Sequence, residues 1–193
     1  MISYTDEYRG YGTASPTTIG DYTISGIAIP YNAIAYVDSG IYEVVKPGAL
    51  TAIMQAKPNI CCIIDHKGEY ILGSTVDQTL RLWDSAEGLR YTITLPKTSY
   101  ASDLIAVMQA NPKTFGASFH MRLQPKDYSL SRHGTSGYLR TITNISQVIE
   151  ITITAFPVYT STTAILQEAA MLTGDGGEAA KTLLEYLKIR ERA

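Results

Sequence analysis

The sequence predicts a mainly β fold with peripheral helices (α+β), built on about seven strands in a closed or nearly closed barrel. Three observations predict it. Apolar, β-prone runs of strand length recur through the middle of the chain. A single helical segment interrupts them, between the fifth and sixth strands. The remaining helical composition gathers at the end. A doubly wound sheet would instead need a helix between most strands. At 193 residues, 45% of them hydrophobic, the chain suits one domain with a terminal appendage. The expected organisation is a flexible N-terminal arm over 1–21, a barrel domain over 22–160 and a helical appendage over 161–193.

The arm mixes Tyr, Thr, Ser and Gly without periodicity, and Gly10 and Gly12 argue against reading Tyr4, Tyr8 and Tyr11 as a helical stripe. Order begins with YTISGIAIP, an extended run closed by Pro30. A second strand is expected around Tyr42 to Val45, and Ala49 to Gln55 favours a helical turn or two after Pro47 and Gly48. NICCIIDH, from Asn59, reads as a buried strand that delivers His66 to its end. QTLRLWD alternates, turns at Ala86 to Gly88 and returns as LRYTITL, a β-hairpin. Ser99 to Gln109 changes to helical period, with Leu104, Ala106, Val107 and Met108, and Pro112 closes it.

Phe115 to Leu123 resumes the strand pattern. Alternation puts Ala117, Phe119, Met121 and Leu123 on one face and Gly116, Ser118, His120 and Arg122 on the other. Residues 124–137 are polar and turn-rich, which predicts an exposed excursion suited to touching a substrate. Tyr138 to Thr143 and Gln147 to Phe156 are again extended. In the latter Ile149, Ile151, Ile153 and Ala155 share a face opposite Glu150, Thr152 and Thr154. Beyond Pro157, Ala164 to Leu172 and Glu178 to Arg190 have helical composition, with an apolar stripe of Ala180, Leu183, Leu184 and Leu187. Asp175 and Glu178 have capping-box spacing.

Composition excludes several function classes. A net charge of -2 and a pI near 5.9 offer no basic field for a nucleic-acid backbone. No window approaches the ~20 apolar residues of a membrane span, and the N-terminus lacks the pattern of a secretory leader, so a soluble intracellular protein is expected. Cys61 and Cys62 are adjacent and point apart in an extended run, so they read as small buried apolar residues and not as a disulfide. His66, His120 and His133 lack supporting ligands at metal spacing, so neither a metal nor a cofactor is expected.

Five short motifs, in order, resemble the prohead protease family of tailed phages. SGIAIPYN, from Ser25, is similar to that family's opening strand. YEVVKPGAL, from Tyr42, resembles its proline-glycine-alanine-phenylalanine signature, with Leu50 in place of Phe. His66 followed by LGST, from Leu72, resembles the catalytic histidine and its neighbourhood, although the acidic residue usual after the histidine is Lys67 here and Asp65 precedes it. FGASF, from Phe115 and preceded by a helix around Ser102 and Asp103, resembles the approach to the nucleophilic serine. EITITAFPVY, from Glu150, is similar to the closing strand.

The resemblance covers roughly residues 22–160 and implies a barrel of the herpesvirus assembly-protease type, a Ser-His catalytic pair and no cofactor. Ser118 is then the nucleophile and His66 the general base that takes its proton. Glu150 matches the family glutamate and would orient His66. His120, on the face of Ser118, is its rival, and Asp65 a weaker one. A backbone N–H after the sixth strand or the guanidinium of Arg140, which matches a common family arginine, would stabilise the oxyanion. The resemblance further implies enclosure in the assembling prohead in the host bacterial cytoplasm, with cleavage of the scaffold or of the major capsid protein's scaffolding segment. Self-digestion follows, with the N-terminal arm and the Gly-rich stretch at 174–177 as expected cleavage points. A homodimer is expected as well. The competing reading is a catalytically inactive structural or scaffold-associated barrel of the capsid.

Overall fold

The computed structural model describes residues 22–38 and 40–168. Twelve strands and two helices follow one another as β1 (Tyr22–Pro30), β2 (Ile34–Asp38), β3 (Ile41–Val45), α1 (Thr51–Gln55), β4 (Cys61–Ile64), β5 (Lys67–Ser74), β6 (Leu80–Ser85), β7 (Gly88–Thr94), α2 (Ser99–Ala110), β8 (Gly116–Arg122), β9 (Tyr128–His133), β10 (Gly137–Ile142), β11 (Gln147–Thr154) and β12 (Ile165–Glu168). The mainly β class and the β6–β7 hairpin agree with expectation. So does α2, whose N-cap Thr98 accepts a hydrogen bond from Ala101 N–H at 3.3 Å.

The expected barrel of about seven strands does not form. Among the described residues the strands make three four-stranded sheets, ordered β12-β1-β7-β6, β2-β3-β10-β9 and β5-β4-β11-β8, none of them closed. The four strands that the sequence reading lacked, β2, β5, β9 and β12, all lie at sheet edges. An edge strand need not carry an apolar face along its whole length, because water satisfies its free side. Accordingly β9 is exposed or half-buried throughout, β5 is mostly exposed over its first five residues, and Ile34 and Tyr36 of β2 face solvent.

Two further expectations change. Residues 124–137 are not a loose excursion: a 3-10 turn at Pro125–Asp127 leads into β9, which pairs with β10. Buried Asp127 anchors that turn, accepting from Gln124 N–H at 2.7 Å and Asn144 Nδ2 at 2.7 Å, with Ser146 Oγ also donating. Ile165–Glu168, expected to be helical, is strand β12 and pairs with β1, so the first sheet extends past residue 160. The expected helix over Glu178 to Arg190, the N-terminal arm and the Gly-rich stretch lie outside the described residues.

All three sheets and both helices contribute to one core, which includes Ile24, Ile29, Val45, Leu50, Cys62, Leu72, Tyr91, Ile93, Leu104, Met108, Ala117, Ile142, Ile151 and Ile153. Each fully buried aliphatic side chain stabilises by about 1.5–3 kcal/mol. The third sheet turns its two faces to different environments. Cys62, Ile151, Ile153 and Ala117 point into the core, and Cys61, Glu150, Thr152, Ser118 and His120 occupy the opposite face by alternation.

A candidate active site on the face of the third sheet

The site is built across three adjacent strands. Central β11 runs parallel to β4 and antiparallel to β8. Thr152 stands opposite Ser118 on one side and Ile63 on the other; Glu150 stands opposite His120 and Cys61. Ser118 and strand β4 are therefore one strand apart, about 10 Å between axes. His66 comes from the turn that joins β4 to β5. Ile64 pairs with Lys67, which leaves only Asp65 and His66 as the turn, with φ of 46° and 58°. Positive φ at both central residues is the type I′ geometry that matches the twist of a two-residue hairpin. Asp and His tolerate this left-handed region better than most residues, at a cost of roughly 1 kcal/mol each. The expected strand-end histidine is thus a turn residue whose imidazole reaches back over the sheet.

There His66 Nδ1 meets Glu150 Oε1 at 2.6 Å. A carboxylate accepts only, so the shared proton sits on Nδ1 and the lone pair of the neutral ring is on Nε2. Glu150 is largely buried, whereas the His66 side chain is 51% exposed, so the imidazole stays accessible while its partner does not. The hydrogen bond to Glu150 raises the His66 pKa above its ordinary 6.5. Partial burial opposes that rise, and the charges of Glu150 and Asp65 add to it. Oε2 of Glu150 is buried without a hydrogen-bond partner. Ser118 is 7% exposed and stands on β8 opposite Thr152, on the sheet face that Glu150 shares.

A sequence profile described as caudovirus prohead serine protease matches residues 11–174. The chain belongs to the caudovirus prohead serine protease family. Comparison with curated protein sequences finds no significant match. Among solved structures the chain is similar to Kaposi's sarcoma-associated herpesvirus protease bound to a hexapeptide phosphonate inhibitor. That likeness has 12% identity and a TM-score of 0.47, covering 86% of this chain and 76% of the other. A second structure of that virus's protease, with an allosteric inhibitor, has 12% identity and a TM-score of 0.46, covering 86% and 91%.

In this prohead protease family member the remaining candidates fall in different places. His120 is exposed on β8 and is the cross-strand partner of Glu150, but the hydrogen bond to Glu150 comes from His66. Asp65 shares the turn with His66. Arg140 lies on β10 in the second sheet, opposite Glu43 of β3. Its Nε donates to Glu43 Oε2 at 2.8 Å, and its second guanidinium nitrogen pairs with the same oxygen. Tyr159 Oη donates to the other carboxylate oxygen at 2.8 Å and its ring stacks on Phe119, 5.7 Å away. Phe119 projects from the face of β8 opposite Ser118, so the expected oxyanion role of Arg140 gains no support from its position.

His133 packs against Tyr42 in the second sheet. Among the described residues no three His, Cys, Asp or Glu side chains group as metal ligands, and no helix is long and apolar enough to cross a membrane. Cys62 is buried as expected, but Cys61 is half-buried on the site face beside Glu150. Sequence reasoning missed the part played by Thr152, whose Oγ1 accepts from His66 N–H at 3.0 Å. Its only signal was its place on the polar face of the Glu150 strand.

Proposed function

We propose that the chain is a serine endopeptidase of capsid maturation with Ser118 as nucleophile, His66 as general base and Glu150 as the residue that orients it. The observation that carries this reading is the His66–Glu150 pair, held by a turn and a buried carboxylate over the face on which Ser118 stands. In the proposed reaction His66 Nε2 removes the hydroxyl proton as Ser118 Oγ attacks the scissile carbonyl. Glu150 keeps the Nδ1–H tautomer in place and favours the imidazolium that forms. His66 then passes its proton to the leaving amine, and water, activated by the same base, hydrolyses the acyl-enzyme. Arg140 is assigned an anchoring role, because its guanidinium is committed to Glu43.

The proposed substrates are the scaffold, the major capsid protein's scaffolding segment and the chain itself, with cleavage inside the assembling prohead and a homodimer as the working form. The test is co-expression with the phage's capsid and scaffold proteins, comparing wild type with Ser118→Ala by intact mass. Defined cleavages that vanish in the variant support the reading. Cleavage that persists in Ser118→Ala, or a wild type that leaves assembled proheads intact, overturns it. Intact ends of the chain after prolonged incubation with active enzyme would remove self-digestion from the proposal.

A further inference from the structure

The geometry points to Thr152 as a positioning residue that registers the His66 base against Ser118, an inference that rests on the catalytic reading above. Thr152 is fully buried in the central strand of the site sheet, with Ser118 as its cross-strand neighbour in β8. Its single hydroxyl proton goes to Ile63 O at 3.2 Å, and its oxygen accepts from His66 N–H at 3.0 Å. The adjacent turn amide, Asp65 N–H, donates to Ile153 O at 3.1 Å. Both central amides of the β4–β5 turn are therefore tied to β11, where a hairpin tip usually leaves them to water. The Asp65 bond uses backbone and survives any side chain. The His66 bond depends on the Thr152 hydroxyl.

Its consequence is geometric. Glu150 lies two residues before Thr152 on the same strand, so one strand segment holds the backbone of the base, binds its ring and sets the position of the nucleophile strand. Loosening the His66 backbone lets the imidazole drift relative to both partners while leaving Ser118 and Glu150 in place. A displacement of ~1 Å at such a site costs on the order of 10²-fold in rate. A merely structural buried threonine would behave differently, since its loss would lower the folded fraction without changing the chemistry of the molecules that remain folded.

Thr152→Val and Thr152→Ser separate these behaviours in the full chain. Two readouts are needed: steady-state cleavage of a capsid- or scaffold-derived peptide, and the NMR titration of the His66 ring. Thr152→Val is expected to lower kcat roughly 10- to 100-fold with KM within about threefold. It should also move the His66 titration down towards its ordinary value as the Glu150 contact loosens. Thr152→Ser, which keeps the hydroxyl, is expected to restore kcat to within about threefold of wild type. If Thr152→Val does not fold, Thr152→Ala removes the same hydroxyl with less crowding. Hydroxyl-free variants with wild-type kcat per folded molecule, or with an unmoved His66 titration, would overturn the inference. Persistence of cleavage in Ser118→Ala would instead strike the catalytic reading, and the His66 titration would still report on Thr152.

Discussion

Two carboxylates in this molecule are buried in strands and paired with a basic side chain, and they are used in opposite ways. Glu43 is 2% exposed and spends both oxygens, one on Arg140 and one on Tyr159. Its partners stay in one protonation state at all ordinary pH, because arginine does not titrate and burial, with Glu43 beside it, drives the Tyr159 phenol far up. Glu150 is comparably buried but spends one oxygen, on a histidine that is half in solvent and whose pKa the Glu150 hydrogen bond raises above its ordinary 6.5. A saturated, permanent pair joins β3, β10 and the segment after β11. The unsaturated, switchable pair lies on the sheet face that also carries Ser118.

The comparison breaks most visibly if activity does not follow the switchable pair. Ser118→Ala should remove cleavage, by at least ~10³-fold, with the fold unchanged, read by single-turnover peptide cleavage and by denaturation midpoint. Glu150→Gln should lower kcat/KM by roughly 10²–10⁴-fold while a comparable loss of stability is absent. Glu43→Ala should do the reverse: a loss of about 3–5 kcal/mol in urea unfolding, because it leaves Arg140 and Tyr159 without their shared acceptor. Activity per folded molecule should change far less.

Acidity sharpens the contrast. In the proposed mechanism neutral His66 is the base, and Glu150 raises its pKa, so the acid limb of kcat/KM should lie above pH 6.5. The raised pKa also means that this pair's contribution to stability is complete below the ordinary value and is lost as pH rises through the folded one. Activity and the pair's stabilisation should therefore change in opposite directions across the same window, measured by a pH–rate profile beside pH-dependent unfolding. The smallest effect is expected from Asp65→Asn. It suits the left-handed turn and removes only the weakest of the influences that raise the His66 pKa, so the acid limb should shift slightly downward. A large loss of activity in that variant would give Asp65 a part now assigned to Glu150.

Legibility differed along the chain for physical reasons. Central strands such as β1, β4, β7 and β11 announce themselves because a neighbour on each side and a core beneath demand apolar or β-branched residues. The edge strands carry no such demand over their full length. Ser129 to His133 therefore looked like loop, and Ile165 to Glu168, short and next to alanines, looked like helix. Residues 147–154 were legible as a strand, yet simple alternation failed there. A register shift lies between Val148 and Glu150, so Val148 joins the core together with Ile151 and Ile153. Ser118, His66 and Glu150 were named from motif order, and the facing of Ser118 away from Ala117 and Phe119 was readable from period two alone.

What the sequence by itself determined was therefore local: which runs are extended, which face of each is apolar, where helix α2 starts and stops, and which short motifs resemble those of this family. Tertiary structure alone decided how those runs pair. It set β11 between β4 and β8, so that Thr152 came to face Ser118 on one side and to bind the His66 amide on the other. It bent Asp65 and His66 into a left-handed turn over the Glu150 carboxylate, and it paired Arg140 with Glu43 on another sheet. Strand pairing joins residues far apart in the chain, as the 89-residue separation of the cross-strand partners Thr152 and Ile63 illustrates. Such contacts depend on the closure of long loops and on the common core, quantities that no local pattern of side chains encodes.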